Sequence, residues 1–98
     1  MTRKLVFRPE ADEEAQSTRR WYEEQRPDLG DQFADAIDET IGRIVSNPLA
    51  FPVAHNDTRR AIVRGFPYGV YFRLAKDYVV VTAAMHGRRN PRRWQGRR

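Results

Sequence analysis

The sequence predicts an α+β fold of order βααβββ, in which a helical hairpin packs on a small, twisted antiparallel sheet. Three observations predict it. Two amphipathic segments follow one another in the first half of the chain, and three strand-like runs joined by short connections fill much of the second half. The last of these runs is apolar almost throughout. Sequential helices followed by hairpin-connected strands are typical of an antiparallel sheet with its helices on one face.

The first half of the chain predicts one strand and two helices. Lys4–Arg8 places Leu5 and Phe7 on one face, as a half-buried strand does. Glu10–Gln25 carries acids at its start and arginines later, which complements the helix dipole. Asp28–Asn47 repeats apolar residues at helical spacing on one face and acids on the other, with Asp28 or Asp31 as its expected cap. We therefore expect a helical hairpin whose apolar stripes face the sheet.

The second half predicts a loop and three strands. Leu49–Asp57 has the turn chemistry of a loop, and its Phe51 and Val53 are expected to tuck under the sheet. The strands that follow are Thr58–Arg64, Tyr68–Ala75 and Tyr78–His86, and Lys76-Asp77 is the tight turn between the last two. The final strand lacks polar alternation, which is typical of a strand buried on both faces. Such a strand needs neighbours at both of its edges.

Alternation along the strands predicts a basic sheet face opposite the helices. On this interpretation Arg60, Arg64, Tyr71 and Arg73 lie on that face, and His86 lies near its rim. The assignment depends on register, because a slip of one residue along a strand moves every side chain to the other face.

Length and composition narrow the class of protein. The 98 residues indicate a single domain, 1–98, and the absence of cysteine excludes disulfides, thiolate metal sites and thiol catalysis. No apolar run approaches the roughly 20 residues of a membrane span, and the first residues lack the apolar core of a signal peptide. We expect a soluble, cytoplasmic protein with no membrane partner. No metal or cofactor is expected, since the acids of the second predicted helix form a solvated face.

The charge is divided unevenly along the chain. Residues 1–50 hold seven Lys or Arg and eleven Asp or Glu, a net charge of −4, whereas residues 51–98 hold eleven and two, a net charge of +9. A basic half predicts an acidic partner, either nucleic acid or an acidic protein. The acidic half argues against a simple nucleic-acid coat protein.

The basic tail, residues 87–98, contains six arginines and no acid, with Trp94 among them. One interpretation is an anion-binding arm, in which arginine forks bind phosphate or carboxylate and the tryptophan stacks. The other is a charged, solvated tail whose Trp94 packs back on the domain as an anchor. The sequence leaves both interpretations open.

His86 is the candidate catalytic residue, because a histidine can act as an acid or a base near neutral pH. With Arg64, Arg88 and Arg89 nearby it could support RNA scission by attack of the 2′-hydroxyl, a reaction that needs a base, an acid and cations around the phosphate. The alternative is structural: the histidine closes a strand by bonding a backbone group.

The motifs of the chain, taken in order, resemble those of one family of proteins. The matching segments are Ala11–Glu14, Trp21-Tyr22, Phe33–Ile44, Asn47-Pro48, Phe51-Pro52, Arg59–Arg64, Phe66–Phe72 and His86–Pro91. Over nearly its full length the chain resembles toxins of the RelE/ParE superfamily of type II toxin–antitoxin systems, in the ParE-like branch linked to plasmid stabilisation. Each segment alone is a weak signal, and their order makes the set fairly specific.

The resemblance implies one of two toxic activities. RelE-like members cleave messenger RNA on the ribosome with a basic and aromatic constellation on the concave sheet face. Arg60 and Arg89 fall where such members place functional cations, but Ile62 and Gly69 fall where they place a lysine and an arginine. Losing two cations from a charge-based site should cost orders of magnitude in rate. For this activity the candidate residues are Arg60, Arg64, His86 and Arg89.

ParE-like members instead imply inhibition of DNA gyrase by binding rather than by catalysis. The partner-binding candidates are then Arg60, Arg64, Tyr71, Arg73, Arg88, Arg89, Arg92, Arg93 and Trp94. A third possibility is a toxin-like relic that only binds its antitoxin or nucleic acid. In every case the family implies a cognate antitoxin, whose acidic, amphipathic C-terminal segment would fold on the basic sheet face and on an apolar groove beside the hairpin.

Overall fold

The structure, a computed structural model, describes residues 3–87 and 91–98. Its elements follow the chain in order. The strands are β1 (Lys4–Phe7), β2 (Val53–His55), β3 (Thr58–Ile62), β4 (Tyr68–Leu74) and β5 (Tyr78–His86), and the helices are α1 (Pro9–Gln25), α2 (Leu29–Ser46) and α3 (Arg92–Gln95), with a 3₁₀ turn at Pro48–Ala50. The predicted α+β class and the helical hairpin packed on a sheet are confirmed.

The sheet has five strands in the order β1-β5-β4-β3-β2. Strands β3, β4 and β5 are antiparallel to their neighbours in the meander, as predicted, and β2 pairs antiparallel with β3. Strand β1 runs parallel to β5, so that the sheet is mixed. The reason is the path of the chain: the helical hairpin carries it from β1 to the opposite edge of the sheet, and the meander then returns until β5 lies beside β1. The prediction that the last strand has a neighbour at each edge is therefore confirmed.

A β-bulge divides β5 into two halves. Tyr71 of β4 pairs with Ala83 and Phe72 pairs with Val81, so that Thr82 is an extra residue on β5. Thr82 is fully buried, and its hydroxyl donates to the carbonyl of Tyr71 at 3.4 Å. Because the extra residue reverses the alternation, Val81 packs toward the helices before the bulge and Ala84 does so after it.

The main core lies between the helices and the sheet. Helix α1 packs on β5 and against α2, and the buried side chains that fill the layer are mostly aliphatic. An aromatic cluster closes one end, where Phe33 meets Tyr22, Phe66 and Tyr68 with ring centroids about 5 Å apart. Burial raises the pKa of Tyr22, since a phenolate is poorly solvated there.

Three details differ from the sequence predictions. Residues predicted as loop include the short edge strand β2, whose Val53 is 52% exposed instead of tucked under the sheet. The tail contains the short helix α3. The third difference is that Arg64 does not share a face with Arg60. Strand β3 ends at Ile62, the turn that follows includes Gly65 at φ +85°, and the guanidinium of Arg64 lies 3.6 Å from Glu39 of α2.

The two long helices meet at Gly30, in the first turn of α2. The carboxylate of Glu23, on α1, accepts hydrogen bonds from the backbone N–H groups of Asp28 at 3.3 Å and Gly30 at 2.9 Å. A carboxylate at a helix N-terminus is favoured by the unpaired N–H groups and by the dipole. Glu23 therefore caps α2, whereas the predicted caps do not: Asp28 makes no capping bond with its side chain, and Asp31 pairs with Arg19.

We expect Gly30→Ala to destabilise the protein by about 1–3 kcal/mol, the usual cost of overpacking. A Cβ at this position would lie 2.8 Å from the backbone oxygen of Arg19, which cannot move without shifting α1. The measurement is the free energy of unfolding in urea. Gly42→Ala is the matched control: it also adds a methyl group to α2, where nothing lies within 4 Å, and should stabilise by about 0.5–1 kcal/mol. Equal effects at the two positions would contradict the close helix crossing.

Candidate partner-binding surfaces

The sheet face opposite the helices, called the second face from here on, is covered in part by the chain's own tail. Residues 91–98, which we call the strap, cross this face from the β5 side towards the β2–β3 turn. The face itself carries side chains from the three central strands: Arg60 and Ile62 of β3, Gly69, Tyr71 and Arg73 of β4, and Ala83 and Met85 of β5. The strap therefore decides how much of the predicted basic face is accessible.

Trp94 anchors the strap at the middle of the second face. Its ring stacks on that of Tyr71 with centroids 4.3 Å apart and planes 23° from parallel, and the edge of His55 lies beside it at 6.2 Å. Tyr71, Ala83, Met85 and Trp94 form a second, smaller buried cluster. Of the two interpretations of the tail, the geometry favours a tryptophan that packs back on the domain.

The last two arginines hold the strap to opposite sides of the sheet. The guanidinium of Arg97 lies 2.8 Å from the carboxylate of Glu14, on α1, and 3.4 Å from the carbonyl oxygen of Thr82. Arg98 forms a two-pronged contact with Asp57 in the β2–β3 turn, at 3.0 and 3.1 Å, and its carbonyl accepts a hydrogen bond from Arg73. Two of the predicted "anion-binding" arginines are thus paired with acids of the same chain.

Glu14 does more than bind the strap. Strand β1 accompanies β5 only as far as Val81, so the edge of β5 beyond that point has no other described strand beside it. There Glu14 accepts a hydrogen bond from the backbone N–H of Ala84 at 3.1 Å, and the hydroxyl of Tyr68 donates to the carbonyl of Ala84. Side chains therefore complete the hydrogen bonding that a neighbouring strand would otherwise provide.

Arg60 lies flat along the second face. A Cβ atom added at Gly69 would lie 3.5 Å from the aliphatic part of the Arg60 side chain and 3.4 Å from the ring of Tyr71. The space above Gly69 is therefore filled by its neighbours. A long cationic side chain at that position, such as the arginine expected in RelE-like members, would have to displace both.

The other predicted site residues do not converge. Arg64 is exposed on the α2 side, and His86 is half-buried at the end of β5 on the α1 side. Arg92 and Arg93 are exposed on α3. The guanidinium Nε of Arg73 is buried and finds no hydrogen-bond partner within residues 3–87 and 91–98. Arg88, predicted for partner binding, and Arg89, predicted for both activities, lie outside the described residues.

A groove of about 520 Å³ runs between α1 and the open end of β5. Trp21, Tyr22 and Met85 supply much of its apolar surface, and His86 and Arg93 add cationic or titratable groups. Trp21 is 55% exposed and packs edge-on against Tyr22, with ring centroids 5.1 Å apart. An exposed tryptophan beside a groove is a typical anchor point for a partner protein.

Sequence reasoning missed the residues that organise these surfaces. Glu14 stood in a run of helix acids, and Asp57 stood in a turn, with nothing in the sequence to pair them with Arg97 and Arg98. The available signal was indirect: Asp57 is one of only two acids in residues 51–98, and an acid among so many arginines is a good candidate for a fixed ion pair.

The described residues, 3–87 and 91–98, contain neither a metal-binding cluster nor a membrane-spanning helix. In the part of the chain that the structure describes, no group of three or more His, Cys, Asp or Glu is placed to hold a metal ion. No helix within the same residues is both long and apolar enough to cross a membrane.

Comparison with known proteins identifies the family. The model of a family described as the ParE toxin of type II toxin–antitoxin systems, parDE, matches residues 5–91. The chain belongs to the ParE toxin family. The resemblance predicted from its motifs is therefore confirmed, and this ParE-family protein has the fold expected of it. A search among curated protein sequences finds no match.

Solved structures share the fold of this ParE-family protein at low sequence identity. A chain of the chromosomal ParDE toxin–antitoxin system from P. aeruginosa superposes with a TM-score of 0.66 at 10% identity, covering 87% of this chain and 96% of the other. A chain of the RelBE2 toxin–antitoxin complex from Mycobacterium tuberculosis gives 0.61 at 17% identity, with coverages of 88% and 99%. At these identities the likeness shows the fold alone.

We expect Trp94→Ala to cost about 3 kcal/mol of unfolding free energy, the low end for truncating a buried aromatic side chain, because the cluster is small. The strap should also become sensitive to trypsin at its arginines. The measurements are urea unfolding and limited proteolysis. Trp21→Ala is the matched control and should cost less than about 1 kcal/mol, since that side chain is more than half exposed. Similar losses in both variants would contradict the anchoring role of Trp94.

Acid should release the end of the strap. The hydrogen bond from Arg98 holds the pKa of Asp57 below its ordinary value. The contribution of this contact is therefore fully present above the ordinary pKa of about 4 and is lost as the pH falls through the lower pKa of the folded state. The indole N–H resonance of Trp94, followed against pH, should shift below about pH 4 in the natural protein but not in Asp57→Asn. Asp35→Asn, on the exposed face of α2, should keep the shift; an unchanged titration in Asp57→Asn would refute the assignment.

Proposed function

We propose that this ParE-family protein is a toxin that a cognate antitoxin neutralises and that inhibits DNA gyrase by binding rather than by catalysis. The observation that carries the proposal is the cover that the strap provides over the middle of the second face. Trp94 stacks over Tyr71 where ribosome-dependent nucleases of the RelE type would need an open basic and aromatic surface. A site for RNA chemistry has no room there while the strap is in place.

The distribution of the catalytic candidates also supports binding. Arg60 lies on the second face, Arg64 beside α2, and His86 at the groove beside α1. General acid–base catalysis needs its groups within hydrogen-bond reach of one reacting centre. Three candidates on separate surfaces do not meet that requirement, and the positions of Ile62 and Gly69 offer no additional cation.

The groove beside α1 is the proposed antitoxin site. Its apolar floor and the side chains of His86 and Arg93 suit an amphipathic segment with aliphatic and acidic residues. Both compared structures are toxin–antitoxin complexes, which supports an antitoxin as the partner. The net charge of +9 on residues 51–98 would attract an acidic segment that becomes ordered when it binds.

The exposed arginines of the tail are the proposed gyrase contacts. Arg92 and Arg93 are exposed on α3, where Arg93 also borders the groove beside α1, and Arg88 and Arg89 remain candidates from the sequence. Because Arg97 and Arg98 form ion pairs with acids of this chain, we assign them a structural role.

The experiment is DNA supercoiling by purified gyrase, titrated with this protein alone and with its antitoxin. We expect inhibition or accumulation of cleaved DNA, reversed by the antitoxin. The double variant Arg92→Glu and Arg93→Glu should raise the concentration needed for inhibition at least about tenfold, because several surface charge contacts are lost together.

The matched control is Arg26→Glu with Lys76→Glu, which makes the same change in charge at exposed positions away from the tail. It should inhibit as the natural protein does. Equal losses in the two double variants would show a general effect of net charge. Absence of any effect on gyrase, from protein shown to be folded, would overturn the gyrase proposal and make translation-dependent RNA cleavage the next assay.

A further inference from the structure

The outer edge of β1 is an open strand edge. Lys4 and Arg8 donate their backbone N–H groups towards β5, to the carbonyls of Asp77 at 2.8 Å and Val81 at 2.9 Å. Because backbone groups alternate along a strand, Leu5 and Phe7 direct theirs to the opposite side. No other described strand pairs with that side, since β1 ends the sheet. Two residues therefore offer donors and acceptors to an incoming strand.

The charges along this edge are all positive. Lys4 and Arg8 are exposed, share the second face of the sheet, and form no ion pair with an acid anywhere in residues 3–87 or 91–98. Between them on the same face lies Val6. The spacing presents two cations separated by one aliphatic side chain.

Apolar surface accompanies the charges. Leu5 is 41% exposed on the helix side of β1, and Tyr78, which pairs with Lys4, is 42% exposed on the other side. Exposed apolar side chains that flank unpaired backbone groups are the usual features of a strand-addition site.

A second copy of this chain is a poor occupant. In the antiparallel pairing with the greatest overlap, Leu5 of one copy faces Phe7 of the other, and Lys4 then lies directly opposite Arg8 in both directions. Like charges facing each other across strands are destabilising, and cations on an edge are a common protection against self-association. Charge repulsion therefore disfavours pairing between two copies of this edge and favours pairing with an acidic strand.

We propose that the outer edge of β1 is a strand-addition site for an acidic, extended segment of a partner protein. Acidic residues of that segment pair with Lys4 and Arg8, and aliphatic residues between them cover Leu5. The site is separate from the groove beside α1 and from the tail arginines, and it stands whether or not gyrase is the target.

The test is a nuclear magnetic resonance titration of the full chain with a peptide of alternating Glu and Val. We expect the amides of Leu5 and Phe7 to shift and to gain protection from hydrogen exchange. Lys4→Glu with Arg8→Glu should weaken binding about tenfold at low salt, because two surface ion pairs are lost and acids of the protein then face acids of the peptide. The same variant should gain affinity for a peptide of alternating Lys and Val.

Arg20→Glu with Arg26→Glu is the matched control, because it makes the same change in charge on α1 and at the residue that follows it, and it should leave the peptide affinity unaltered. Three results would overturn the proposal: no binding at millimolar peptide, binding that leaves the Leu5 and Phe7 amides unchanged, or an equal loss in both double variants. Melting curves that match the natural protein establish that each variant is folded.

Discussion

The structure depends on keeping one almost entirely apolar strand, β5, paired or covered along both edges. Strand β4 covers one edge for its whole length, but β1 is too short to cover the other beyond Val81. A carboxylate from α1 and a guanidinium from the strap complete that edge, at Ala84 and Thr82 respectively. Because one ion pair links the helix, the central strand and the tail, the end of the chain becomes part of the sheet's hydrogen bonding and not an appendage to it.

The sequence contained enough to predict most of the fold, because its local patterns agree with the final packing. The apolar run of β5, the alternation around Tyr71 and the hairpin at Lys76-Asp77 all lie where they were predicted. The parallel pairing of β1 was missed because it joins residues more than seventy positions apart, and no local pattern specifies such a partner. The sequence placed Arg64 on the wrong side of the sheet, because the position of this side chain depends on a single turn with Gly65 at positive φ.

The candidate site was less predictable than the fold. It depends on ion pairs between distant parts of the chain, and the same arginines could bind either a partner or acids of this chain. Composition identified a basic tail, but it could not separate arginines that bind acids of the same chain from arginines that face solvent. That separation divides the tail into a structural part, Arg97 and Arg98, and an exposed part on α3.

The bulge at Thr82 has a consequence for how this protein tolerates change. Since β5 carries one more residue than the strand it pairs with, positions before and after the bulge are in opposite phase. The positions of β5 that pack toward the helices are therefore odd as far as Val81 and even from Ala84 onward. A single-residue deletion at Thr82 would bring the two halves into one phase and leave both Val81 and Ala84 facing the helices. The strand could therefore lose its bulge without turning either half over, although the contact between the carbonyl oxygen of Thr82 and Arg97 would be lost with it.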